Sequence, residues 1–273
     1  MPNDAEAPID RSPPPLPGGG RLKRRPLHIN RMIPNVLTLL ALAAGLSALR
    51  FALQERWEHA VLAILVAAVL DGLDGRIARI LKGASRFGAE LDSLSDFLCF
   101  GVAPVFVLYR WALEDAGRFG WSLVLVWCIC AALRLARFNT DLDDADATPA
   151  WTRNFFVGMP APAGAGTALL PLVLWLQFDA DFLRSPALLA LIILGGSLLL
   201  VSRVRTFSFK KIRVPQRWVL PTMLGIGVFV ACLLSNPWLT LTVTQLAYLA
   251  SIPLSDRSYR RQARLPGEST AVP

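Results

Sequence analysis

Asp71, Asp74, Asp92 and Asp96 lie in the stretch DGLDGRIARILKGASRFGAELDSLSD, which is flanked on both sides by long apolar runs. An aspartate at the centre of a membrane helix costs about 2.5–3.5 kcal/mol on insertion scales, so four of them need compensation. Their spacing indicates its source. On an α-helix Asp71 and Asp74 project within about 60° of each other, and Asp92 and Asp96 within about 40°. A chain reversal around Lys82 to Arg86 would put the first pair roughly 13–18 Å from the turn and the second roughly 9–15 Å from it, at about 1.5 Å per residue. These depths overlap, so a hairpin of two antiparallel helices can gather all four carboxylates. Such a cluster repels itself unless protonated or neutralised by cations, and hard oxygen donors suit Mg²⁺, Mn²⁺ or Ca²⁺ rather than zinc. The residues predict a site for one or two divalent ions, with two expected.

The residues around the acids fit the same chemistry. Gly75 and Ala78 share a stripe with Asp71, and Gly88 precedes Asp92 by one turn. Small residues there let a helix or a bulky substrate approach the backbone closely. Arg79, Lys82 and Arg86 place cations near the same mouth, as a site for phosphate groups requires. A purely structural polar cluster, or a helix-pairing seam, is the plainer alternative.

Apolar spans are expected to hold these residues in place. The chain has 273 residues, 54% of them hydrophobic and 18% charged, with a mean hydropathy of +0.47. That is too apolar for an ordinary soluble domain and too long for a single anchor, so an all-α, polytopic membrane helix bundle is expected. Eight spans are predicted: about 33–53, 59–81, 88–113, 121–135, 159–178, 186–201, 218–234 and 239–254. The second turns polar only at Asp71 and the third carries its acids early, so both pairs fall toward one side. Residues 1–30, with PPPLPGGG and then RLKRR, read as a flexible basic tail; 31–256 form the membrane domain and 257–273 a C-terminal tail.

The net charge is +8, and the positive residues sit in the N-terminal arm, the 82–86 turn, the 203–217 loop and the C-terminal tail. The opposite loops, QERWE, LEDAGR, FDADFLR and SNPW, are short and poor in Lys and Arg. The positive-inside rule therefore puts both termini and the acidic site on the cytoplasmic side, and anionic lipid explains the basic balance better than nucleic acid does. Cys99, Cys128, Cys130 and Cys232 all lie in apolar runs and read as buried free thiols. Neither they nor His28 and His59 make a metal-ligand pattern. The polar, Pro-rich start does not read as a secretory signal.

The pattern Asp71-x-x-Asp74-Gly75-x-x-Ala78-Arg79, eight residues, then Gly88-x-x-x-Asp92-x-x-x-Asp96, matches the signature of the CDP-alcohol phosphotransferases at all of its specified positions. The resemblance implies transfer of a phosphate-linked group from a CDP-linked lipid to an alcohol, with release of CMP. By matched position it implies Asp71, Asp74 and Asp92 as metal ligands, and Asp96 as general base and possible further ligand. Gly75, Ala78, Arg79 and Gly88 would line the nucleotide site, and the Pro34-Asn35…Thr38 entry of the first span would lie close to the nucleotide. On the residues alone, Asn35 and Thr38, three apart on one face, read equally as capping or interhelical groups.

Further stretches resemble the phosphatidylserine synthase branch of that family: FGxxLDSLSDxxxFGVAP, RLARFN, FVGMPAPAGAG and SRVRTFSFKK. They imply CDP-diacylglycerol and L-serine as substrates, Mg²⁺ or Mn²⁺ as cofactor, and a homodimer among membrane lipids. Arg134 and Arg137, three apart on one face, are candidates for the serine carboxylate; Arg86, Lys210 and Lys211 are candidates for phosphate. Choline, glycerol 3-phosphate and inositol are alternative acceptors. A divalent-cation transporter is the alternative from a different class, since intramembrane acids also mark ion pathways.

Overall fold

The computed structural model describes residues 29–81, 85–143, 155–202, 205–207 and 219–263. All eight expected spans correspond to helices: α1 (Ile29–Leu53), α2 (Trp57–Ile80), the continuous helical run Arg86–Ala116, α5 (Arg118–Asp143), α6 (Ala161–Phe178), α7 (Pro186–Val201), α8 (Val219–Ser235) and α9 (Pro237–Ala263). Four described stretches are long and apolar enough to cross a membrane, Met32–Leu53, Arg86–Ala116, Arg118–Thr140 and Ala161–Phe178, and α7 and α8 are shorter apolar helices. α2 has the length as well, but its second half carries Asp71, Asp74, Arg76 and Arg79. Large apolar side chains such as Leu39, Val66, Leu191 and Leu220 are exposed on the outer faces, which is the surface lipid would cover. The architecture is that of an all-α membrane helix bundle.

The core lies between α1, α2, the run Arg86–Ala116, α5, α6 and α7 and is filled by Trp111, Trp127, Leu108, Leu172, Leu189 and Ile193. α1 and α2 pack as an antiparallel pair, α5 packs on α7, α6 packs on α9, and α8 packs on α9. Close approach depends on small residues. A Cβ on Gly45 would sit 2.5 Å from Cys99 Sγ, so this glycine lets α1 reach the helix that carries Asp92 and Asp96. The four cysteines are free.

The third span is less regular than its sequence indicates. It begins with α3 (Arg86–Asp96), passes through a π-helical turn at Phe97–Val102, resumes as α4 (Ala103–Leu108), and ends in a second π-helical turn at Tyr109–Leu113 and a 3₁₀ turn at Glu114–Ala116. Pro104 brings no N–H to the ladder and so frees a carbonyl one turn earlier, where the first wide turn lies. α1 starts earlier than expected, so Pro34 sits inside the helix. α5 runs past the expected end at Leu135 to Asp143, and α9 runs on to Ala263. Polar residues end a membrane span but need not end a helix. A two-stranded antiparallel ribbon joins β1 (Phe155–Val157) to β2 (Arg205–Phe207), with Phe155 opposite Phe207. The basic tails at 1–28 and 264–273, the 82–84 turn and the 208–218 stretch lie outside the described residues.

Candidate active site

The acids converge. Asp71 and Asp74 from α2 and Asp92 from α3 each offer a carboxylate oxygen, and these oxygens lie within 4.8 Å of one another. Asp96, one turn further along α3, is within hydrogen-bonding contact of Asp71 and close to Asp92, and it lines a small cavity together with Arg134 of α5. Three of the four expected ligands therefore form one cluster, and Asp96 adjoins it through Asp71.

Two observations test whether divalent ions fit. The donor set is all carboxylate oxygen, the chemistry that Mg²⁺, Mn²⁺ and Ca²⁺ take. Asp96 Oδ1 is also buried without a hydrogen-bond partner among the described residues, an orphan atom that a nearby cation or a substrate proton would satisfy. The residues fit the group.

α1 sets the position of Asp74. Thr38 is 4% exposed, and its hydroxyl donates to Asp74 Oδ2 at 2.6 Å while lying 3.1 Å from Pro34 O, the carbonyl one turn back. The Thr38 carbonyl in turn lies 3.5 Å from Ser95 Oγ of α3. Thr38, expected near the nucleotide, thus directs its hydroxyl to one of the clustered acids. Because 36 residues separate the partners, no local sequence signal reveals the pair.

Next to the acids is a cavity of about 160 Å³, whose walls include Asn35, Thr38, Asp74, Gly75, Ala78 and Gly88. Two glycines that look alike in sequence serve different ends here. A Cβ on Gly75 would meet nothing within 4 Å, so this position leaves room for a ligand. A Cβ on Gly88 would sit 2.7 Å from Asn35 Oδ1 and 3.1 Å from Ser85 Oγ, so this position lets α1 and α3 close on each other. Ser85 caps α3, its Oγ accepting from Gly88 N at 3.0 Å. A serine at the N-cap is a signal that sequence reading could have used.

Arg79 is exposed, and its Nε donates to Gly75 O at 2.9 Å; Arg86 is exposed at the start of α3. Lys82, Lys210 and Lys211 lie outside the described residues. The two α5 arginines separate. Arg134 shares a small cavity with Asp96, donates through Nε to Met159 O at 2.7 Å, and has the Phe138 ring 5.9 Å from its guanidinium carbon. Arg137 donates through Nη1 to Val201 O at 2.8 Å, which ties α5 to the end of α7. Sequence reasoning missed Tyr248 of α9, which lies near Arg134, and the link between Asn139 Nδ2 and Ser93 Oγ at 3.1 Å, which joins α5 to α3 between the two acids.

The sequence that builds this site, with acids from α2 and α3 beside a cavity lined by α1, has relatives among known proteins. Residues 31–201 match the CDP-alcohol phosphatidyltransferase family, and residues 217–253 match the family described as CDP-alcohol phosphatidyltransferase 2. The chain belongs to the CDP-alcohol phosphatidyltransferase family. Its relatives include CDP-diacylglycerol–serine O-phosphatidyltransferases from Mycobacterium leprae (strain TN), 42% identical over 89% of this chain and 80% of that protein, and from Mycobacterium tuberculosis (strain ATCC 25618 / H37Rv), 40% identical over 86% of this chain and 82% of that protein. A third, from Helicobacter pylori (strain ATCC 700392 / 26695), is 32% identical over 82% of this chain and 90% of that protein.

Proposed function

We propose that this chain transfers the phosphatidyl group of CDP-diacylglycerol to the hydroxyl of L-serine, forming phosphatidylserine and releasing CMP. The observation that carries the reading is the convergence of Asp71, Asp74 and Asp92 beside the Asn35–Gly75–Gly88 cavity. The relatives' serine chemistry supports the choice of acceptor.

Asp71, Asp74 and Asp92, with Asp96 adjoining, would hold divalent cations, Mg²⁺ or Mn²⁺ and two in number. When bound, these ions supply charge neutralisation to the pyrophosphate and to the departing CMP. The protein's own groups do the rest. Asn35, Gly75, Ala78, Arg79 and Gly88 receive the nucleotide, and Arg86 with Lys210 and Lys211 contributes positive charge for phosphate. Arg134 uses its Nε on Met159 O, which leaves its terminal nitrogens for the serine carboxylate. Asp96 takes the serine hydroxyl proton as the new O–P bond forms and the P–O bond to CMP breaks, the electron pair leaving with CMP. Arg137, committed to Val201 O, holds the α5 and α7 ends together.

The basic segments support a cytoplasmic placement of both termini and of the site, with residues 31–256 as the membrane domain. The protein would work as a homodimer. Incubating purified protein with CDP-diacylglycerol, divalent metal and an equimolar mixture of serine, choline, glycerol 3-phosphate and inositol tests the reading. Serine should be the acceptor consumed; preferential use of another alcohol would move the chain elsewhere in its family.

A further inference from the structure

Tryptophans gather at one end of the bundle. Trp57 and Trp238 open α2 and α9, Trp121 lies in the first turn of α5, and Trp111 and Trp175 lie near the ends of the Arg86–Ala116 run and of α6. The acids are at the other end, for Asp96 and Trp111 are separated by roughly 20 Å of helix at about 1.5 Å per residue. Tryptophan collects where a bilayer meets water, so this ring marks the interface of the leaflet opposite the acids.

One cation in the ring is exposed and yet fixed. Arg184 ends the 3₁₀ turn Asp181–Arg184, between α6 and α7. Its Nη2 donates to Trp111 O at 2.8 Å, and its guanidinium carbon lies 5.7 Å from the Trp111 ring and 5.6 Å from the Trp175 ring. The two rings are themselves 5.8 Å apart, so cation and rings form a nearly equilateral triangle. This triangle is rich in donors. The indole N–H groups of Trp111 and Trp175 have no hydrogen-bond partner among the described residues, and an indole N–H can only donate. Arg110, next to Trp111 in sequence, pairs with Glu114. Arg184 pairs with no carboxylate among the described residues, although Asp179 and Asp181 are exposed on the same connection. Its Nε and Nη1 thus have no acceptor among the described residues. Phe178 and Phe182, 62% and 69% exposed, flank the turn with apolar surface.

We propose that Arg184 binds the phosphate of a phospholipid headgroup in the leaflet opposite the acids. A guanidinium offers phosphate two parallel N–H donors, and its stacking on aromatic faces holds that fork in place before the ligand arrives. Phe178 and Phe182 make the occupant a lipid, because they can contact its glycerol and acyl chains, which a free anion lacks. Trp111 belongs to the π-helical turn Tyr109–Leu113, so the headgroup and Arg184 together brace one end of the run whose other end carries Asp92 and Asp96. The site is separate from the proposed reaction and does not rest on it.

Native mass spectrometry of the purified, delipidated full chain tests the site. The probes are dioleoylphosphatidylglycerol, dioleoylglycerol as the lipid without phosphate, and inorganic phosphate as the anion without lipid. At phosphatidylglycerol concentrations that fill the wild type, Arg184→Gln should carry one lipid fewer, its binding there weaker by about tenfold or more, the scale of a lost charge-assisted pair. Neither dioleoylglycerol nor inorganic phosphate should distinguish the two proteins. Asp74→Asn, in the acidic cluster, should retain the lipid as the wild type does. Should Arg184→Gln fail to fold, Phe182→Glu carries the same expectation, since it sets a carboxylate two residues from the guanidinium at an exposed position. Equal phosphatidylglycerol retention by wild type and variant, the same difference with dioleoylglycerol or inorganic phosphate, or the same loss in Asp74→Asn would overturn the assignment.

Discussion

Replacing Thr38 with valine keeps the side-chain shape and removes one hydroxyl. That hydroxyl donates to Asp74 Oδ2 at 2.6 Å from a residue only 4% exposed. A hydrogen bond to a charged group contributes about 1.5–3 kcal/mol, which corresponds to about 10- to 150-fold in an equilibrium constant. Loss of a group that orients a metal ligand typically costs about 10- to 100-fold in metal affinity. Mn²⁺ titration of the purified protein, read from the free-ion electron paramagnetic resonance signal, should therefore show Thr38→Val binding at least about tenfold more weakly. Thr38→Ser, which keeps the donor, should stay close to wild type. Equal Mn²⁺ affinity in wild type and Thr38→Val would refute the reasoning that Thr38 orients Asp74 for an ion.

Arg134→Gln should raise KM for serine by about 10- to 100-fold, the scale on which a charge-assisted pair is lost, while KM for the donor changes little; steady-state kinetics in each substrate check this. Asp96→Asn should abolish turnover and retain folding by circular dichroism and gel filtration, and near-normal activity would remove its role as base. Gly88→Ala forces Asn35 away from a contact that a Cβ would make at 2.7 Å, so the donor KM should rise while the serine KM is kept. Gly45→Ala drives a methyl onto Cys99 Sγ and should destabilise the fold by about 1–3 kcal/mol, as overpacking does. Thermal melting should show it, with Cys99→Ala in the same chain recovering most of the loss.

The acids were legible because they break a rule. Asp71, Asp74, Asp92 and Asp96 are costly where they stand, and regular helical spacing was enough to pair them. The eight spans were legible for the complementary reason that long apolar runs dominate them. What escaped the sequence depends on contacts between distant residues. Thr38 reaching Asp74, Gly88 yielding to Asn35, and Tyr248 approaching Arg134 all require knowing which helices are neighbours. The wide turn at Phe97–Val102 escaped because hydropathy does not report helical pitch. The continuation of α5 through RFNTDLD to Asp143 escaped because hydropathy reports where a membrane span ends, and helix propensity continues beyond it.

The most direct measurement counts products in one reaction of purified protein, CDP-diacylglycerol and labelled serine, before and after chelation of divalent metal. Paired carboxylates that hold ions and activate a nucleotide-linked lipid predict one CMP for each phosphatidylserine when metal is present, and neither product after chelation. Labelled phosphatidylserine forming at full rate in chelated protein, or CMP released with no label entering lipid, would contradict the account.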